Sequence, residues 1–205
     1  MRAGIRFVTA IFMIGICGFA AAEGWNIVRF SLAMLDVGPS EKGTDIAKAW
    51  VAVPDVASAA LQAELKEKVN PSDPKAATRR REALSALLSI KPLSAVDWLS
   101  LSGMQWATGQ PMKQILQSLN LSMLTGPNEG YVMPARGIFG ASLWQSLSPD
   151  LKRHVASDLT AKEIIGNPKF RTILSAKPAE VRNEIRAAML ATGLSPNEVE
   201  QRLGF

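Results

Sequence analysis

The sequence predicts an all-α protein in which an N-terminal transmembrane helix is followed by antiparallel helix hairpins. Three observations lead there. Residues 7–22 form an uncharged apolar run behind Arg2 and Arg6. Beyond residue 40 prolines recur at intervals of about one helix. Between them apolar residues repeat at steps of three and four, and no segment alternates at period two for long enough to make a strand.

The N-terminal run has the order of a membrane-directed segment, with positive charge first and an apolar stretch after it. The positive-inside rule then puts Met1 on the cytoplasmic side and the bulk of the chain outside. Two outcomes follow from the residues downstream. Ala20-Ala21-Ala22 before Glu23 reads as a small-residue cleavage site, which would release a secreted protein. Alternatively the helix is retained, extended by Gly4 and Ile5 on one side and by Trp25, Ile27, Val28, Phe30 and Leu32 on the other. Trp25 and Arg29 then suit the headgroup layer. Retention is the favoured expectation, giving a single-pass anchor and juxtamembrane helix over 1–36 and a helical domain over 37–205.

In the remainder, prolines fall at Pro54, Pro74, Pro92, Pro111, Pro127, Pro149, Pro168, Pro178 and Pro196. Proline tolerates the first turn of a helix and not its interior, so regular prolines mark helix starts. Capping signals agree. Ser148-Pro149-Asp150 and Ser195-Pro196-Asn197-Glu198 read as Ser at the N-cap with Pro following, the second completing a capping box. Ser94 to Asp97 has the same spacing after Pro92, and Asp73-Pro74 is similar. Gly103, Gly109, Gly126 and Gly166 are chain breakers, the last three placed where helices should stop.

Apolar stripes lie between these marks. Leu84, Leu87 and Leu88 form the first, with Lys91 at its rim. Met112, Ile115, Leu116, Leu119 and Met123 form the second, and Val181, Ile185, Ala188 and Met189 the third. Helices of about 15 residues with short turns pack as antiparallel neighbours. Two per unit give a period of about 37 residues, near the ~34 of a tetratricopeptide repeat. The best unit runs over 94–125, with Trp98, Leu101, Ser102 and Gly103 in its first helix and Ile115, Leu116 and Leu119 in its second.

The segment PLSAVDWLSLSGMQWATGQ, continued by ILQSLNLSMLTGPNEG, resembles tetratricopeptide-like sequences of bacterial envelope proteins. It is most similar to small anchored proteins found with exopolysaccharide assembly machinery. Trp98 and Leu101 match the repeat's early aromatic and aliphatic positions. Gln105 and Trp106 depart from the large residue that follows, and the second helix lacks most of the expected alanines. The resemblance covers residues 92–158. It implies a short α-solenoid with a scaffolding role and carries over no catalytic residue.

Residues 93–149 hold four formal charges, Asp97, Lys113, Glu129 and Arg136, in a chain that is 20% charged. They also hold Trp98, Trp106, Trp144, Tyr131 and Phe139. Two origins are open for this depletion. One is a hairpin covered by both neighbours, its outward faces filled by Ser, Gln and Asn. The other is a partner surface, since interfaces lose charge and gain Trp, Tyr and Met. Residues 131–144, dotted by Gly137 and Gly140, are the best partner-binding candidate. With Trp106 they give the candidate set Trp106, Tyr131, Met133, Arg136, Phe139 and Trp144. The glycines suit close helix approach or a bend.

Chemistry is hard to find. One His and one Cys argue against a zinc site. Asp150, His154 and Asp158 lie four apart on one helix, where successive turns make surface ion pairs rather than a water-excluded site. Gly126-Pro127-Asn128-Glu129-Gly130 lacks the Lys-Ser/Thr of a phosphate loop. The run Lys75, Arg79, Arg80, Arg81 reads as a solvated helix face without aromatics to stack bases, so no nucleic acid is expected. The net charge of +5 is otherwise modest.

The expectation is therefore a non-enzymatic, membrane-anchored scaffold with protein partners in an envelope complex and no cofactor or metal. A subunit of some other integral complex is the second reading. A periplasmic polysaccharide-acting enzyme with dispersed carboxylates is the third.

Overall fold

The computed structural model describes residues 54–66 and 74–204, so the expected N-terminal membrane helix, the alternative cleavage site and Asp73 lie outside the described residues. All the regular structure described is helical, as the sequence predicts, and no strand occurs among the described residues. None of the described helices is long and apolar enough to cross a membrane.

The chain divides into two compact units, Met1–Glu67 and Lys68–Phe205. In the first, the described residues form α1 (Pro54–Lys66), with Ala57, Ala60 and Leu61 buried at helical spacing. The second contains α2 (Pro74–Ile90), α3 (Ala95–Ala107), α4 (Met112–Thr125) and α5 (Met133–Ser142). It continues through α6 (Pro149–Asp158), α7 (Pro168–Ser175), α8 (Ala179–Leu190) and α9 (Pro196–Leu203). Single 3₁₀ turns, Trp144–Ser146 and Lys162–Ile164, flank α6.

Proline and the caps set these boundaries. Five of the described helices begin on a proline, at Pro54, Pro74, Pro149, Pro168 and Pro196, because the missing N–H falls where no intrahelical acceptor exists. Ser94 and Ser148 accept from the backbone N–H groups of Asp97 and Leu151, and Ser195 with Glu198 closes a reciprocal capping box. Asn167 caps α7 in the same way, accepting from Lys169 and Phe170. Gly109 and Gly166 take positive φ in the turns after α3 and before α7, a conformation open to glycine at low cost. Gly103 breaks nothing and sits inside α3.

Packing follows two styles. α2, α3 and α4 stack in chain order, and α3 and α4 form the closest hairpin. Serines draw that hairpin together: Ser102 Oγ donates to the Ile115 carbonyl at 2.7 Å and Ser122 Oγ to the Ala95 carbonyl at 2.8 Å. The reading of serine as an outward-face residue holds for Ser100 and is corrected for three others. Ser102, Ser118 and Ser122 are buried, while Gln114 and Gln117 do face outward. A serine is small enough for close helix approach, and its hydroxyl bonds a neighbouring carbonyl.

From α5 onward contacts skip along the chain as well as joining neighbours: α5 meets α6 and α7, α6 meets α8, and α9 meets α7 and α8. One apolar core runs through this half and takes in the α4 stripe Ile115, Leu119 and Met123 beside Trp144, Val155, Phe170, Ile185, Met189 and Val199. Each such large side chain, fully buried, contributes about 1.5–3 kcal/mol of transfer free energy.

Candidate interaction surface

The six residues singled out by the sequence are divided by the fold between core and surface. Trp106 and Tyr131 face solvent, 51% and 74% exposed, whereas Arg136 and Trp144 are each 1% exposed. Met133 and Phe139 are half-buried, with Phe139 packed against the core.

Arg136 is the charged group that burial explains best. It lies on α5, and its Nε and Nη2 donate to the two oxygens of Asp158 on α6, at 2.6 and 2.8 Å. Its Nη1 donates to the Ser122 and Gly126 carbonyls at 2.8 and 3.0 Å, and Nη2 also reaches the Pro127 carbonyl at 3.2 Å. One guanidinium therefore adds a second bond to carbonyls at the end of α4, caps that of Pro127, and neutralises a carboxylate at the end of α6. Burial pushes the Asp158 carboxyl above the ordinary carboxylate range, while the hydrogen bonds and charge of Arg136 and the charge of His154 oppose the shift.

Glycine makes this arrangement possible. A Cβ on Gly140 would overlap the Cγ2 of Val155, and one on Gly137 would press on Leu159 and Asp158 at 3.1–3.2 Å. The glycines of α5 thus bring it against α6, the closer of the two roles the sequence left open. The Asp150–His154–Asp158 spacing does not form one surface row. Asp150 pairs with Arg153 in solvent, His154 is exposed, and Asp158 turns inward to Arg136.

Trp144 is similarly committed. Its Nε1 donates to Glu184 at 3.0 Å, Lys152 bonds the same carboxylate oxygen at 2.8 Å, and the Lys152 ammonium stands 5.4 Å from the Trp144 ring. Lys152 first, then Trp144, hold the Glu184 carboxyl below its ordinary value.

What faces solvent gathers largely where α3 begins and α4 ends. Gly126 lies against Ala95 so closely that a Cβ there would stand 2.7 Å from the Ala95 Cβ. Around this contact Leu93 is 79% exposed and Leu124 and Val96 are also exposed. The α2–α3 turn carrying Leu93 is held by Trp98, whose Nε1 donates to the Pro92 carbonyl at 2.7 Å. Tyr131 projects from the turn that enters α5, its phenol pKa raised first by Glu129 beside it and further by Asp97. Trp106 sits at the opposite end of α3, in its last turn.

The sequence missed Leu93 and Leu124, because a leucine among apolar neighbours reads as core. It also missed Asp158 and Glu184 as partners, each distant along the chain from the side chain it serves. Among the described residues no group of His, Cys, Asp and Glu stands close enough to hold a metal ion. Comparison with protein-family models, with curated proteins and with solved structures finds no match to this chain.

Proposed function

We propose that this chain is a non-enzymatic scaffold or accessory protein, anchored in the cytoplasmic membrane by its N-terminal helix with the N-terminus inside. It presents a tetratricopeptide-like helical surface on the periplasmic side and supports envelope polysaccharide biosynthesis or export. The observation that carries the interaction role is the exposure of Trp106, Leu124, Leu93 and Tyr131 on and beside a helix hairpin held together by buried hydrogen bonds. Large apolar side chains exposed to solvent suit docking, since contact removes their apolar surface from water. Support for the solenoid comes from the α3–α4 hairpin and from the next-but-one contacts of α5 with α7, α6 with α8 and α7 with α9. Arg2, Arg6 and the apolar run over 7–22 support the anchor. The polysaccharide role rests on the resemblance of residues 92–158.

The test is purification of the full chain from native membranes in mild detergent, with mass spectrometry of everything recovered. An intact Met1-containing chain accompanied by polysaccharide synthesis or export proteins is expected. A chain beginning at Glu23 and recovered alone would overturn the anchor and the scaffold together. Recovery with an unrelated integral complex would retain the anchor and remove the polysaccharide role.

A further inference from the structure

An open cavity of about 240 Å³ lies between α8 and α9, lined by Arg182, Asn183, Arg186, Glu200 and Leu203. α8 turns Val181, Ile185 and Met189 into the core, so its polar face at Arg182, Asn183 and Arg186 borders the cavity. Arg182 is fixed at the root of α8 by donation from Nη1 to the Lys177 carbonyl at 2.8 Å. Arg186 is paired through Nη2 with the Glu200 carboxylate on α9. Each guanidinium carries five N–H donors, so hydrogen-bond capacity beyond these contacts is left on both. The Asn183 side chain makes no hydrogen bond among the described residues and is exposed. Leu203 closes the floor of the cavity and is itself buried in the core.

The lining therefore offers two cations, one amide and one carboxylate around a space for a single small ring. We infer that the cavity binds one sugar-acid unit. Its carboxylate meets Arg182 and Arg186, whose planar forks match carboxylate geometry. Ring hydroxyls meet Asn183 and Glu200. A neutral sugar offers the arginines only uncharged hydroxyl acceptors, which bond them more weakly than a carboxylate, and phosphate brings a second negative charge against Glu200 with no hydroxyl framework for it to bond. The inference rests on the polysaccharide reading for the source of such a unit, and its chemistry stands on the lining alone.

The experiment is an NMR titration of the full chain in detergent with D-glucuronate, following the Asn183 amide and the Leu203 methyls, with glucose and inorganic phosphate as controls. Saturable shifts with glucuronate, with a dissociation constant no weaker than the ~10 mM range, are expected. They should be weaker by about tenfold or more with glucose and phosphate. Asn183→Asp, an exposed change that places a carboxylate against the ligand's, should weaken binding about tenfold or more without altering the remaining spectrum. Arg182→Ala should do the same. Equal response to phosphate marks an adventitious anion site only and overturns the inference, as does no saturable response to glucuronate or unchanged affinity in Asn183→Asp. Partner recovery from membranes is read separately, so failure here and failure of the scaffold reading are distinguishable.

Discussion

Trp106 and Trp144 stand in the same charge-poor stretch, yet one faces solvent and the other is sealed in the core. The stretch thus owes its composition to two causes. Around α5 and α6 the depletion reflects burial: glycines admit a close crossing, and the basic residue there is consumed by an internal carboxylate and helix-end carbonyls. Around the α3–α4 hairpin, serines take the buried polar positions and leave Leu93, Leu124, Tyr131 and Trp106 outside. Charge depletion by itself does not separate core from docking face; the partner of each polar atom does.

The largest expected contrast lies between the two tryptophans. Trp144→Ala should cost about 3–5 kcal/mol in chemical denaturation, as large buried aromatics do. Trp106→Ala should stay within about 0.5 kcal/mol of the parent. Equal losses would erase the division. Nearly as large is the ion pair, for which Asp158→Ala should cost about 3–5 kcal/mol, because Arg136 is left buried and charged. The pair Arg136→Met/Asp158→Leu should lose less than the sum of its single changes, a shortfall that a double-mutant cycle measures.

Smaller is Gly140→Ala, expected to cost about 1–3 kcal/mol by driving a methyl into Val155, with partial recovery when Val155→Ala is added. A loss that Val155→Ala leaves untouched would show that the crossing is not what the glycine serves.

Titration gives the smallest effect, with opposed signs. Glu184 and Glu198 are held below their ordinary value of 4.5, so what they contribute is present above that pH and is lost as pH falls through their folded values. Asp158 is raised above 3.8, so the folded state takes up its proton first and this group favours folding as pH falls through its folded value. Melting temperatures between pH 6 and pH 3 should therefore fall less in Glu184→Gln than in the parent. A steeper fall in the variant would contradict the assignment. The pH bounds are about one to two units either side of the ordinary carboxylate range.

Much of the fold is legible in the residues. Pro149, Pro168 and Pro196 open helices, Ser94, Ser148 and Ser195 cap them, and the stripe of Ile115, Leu119 and Met123 enters the core. These are local signals, each acting within about one turn of the chain. The site was less legible for the opposite reason. Nothing near Arg136 announces Asp158, and nothing near Trp144 announces Glu184. Serine carries no apolar mark, so its inward position depends on a carbonyl offered by another helix. Exposure of Leu93 follows from the geometry of a turn rather than from its neighbours.

The most direct measurement is co-purification of the full chain from native membranes, comparing the parent with Trp106→Glu/Tyr131→Glu. Loss of the envelope partners at an unchanged melting temperature is the expected result, since both side chains lie outside the core. Full retention of those partners by the doubly substituted chain would contradict the assignment of these two exposed aromatics to docking.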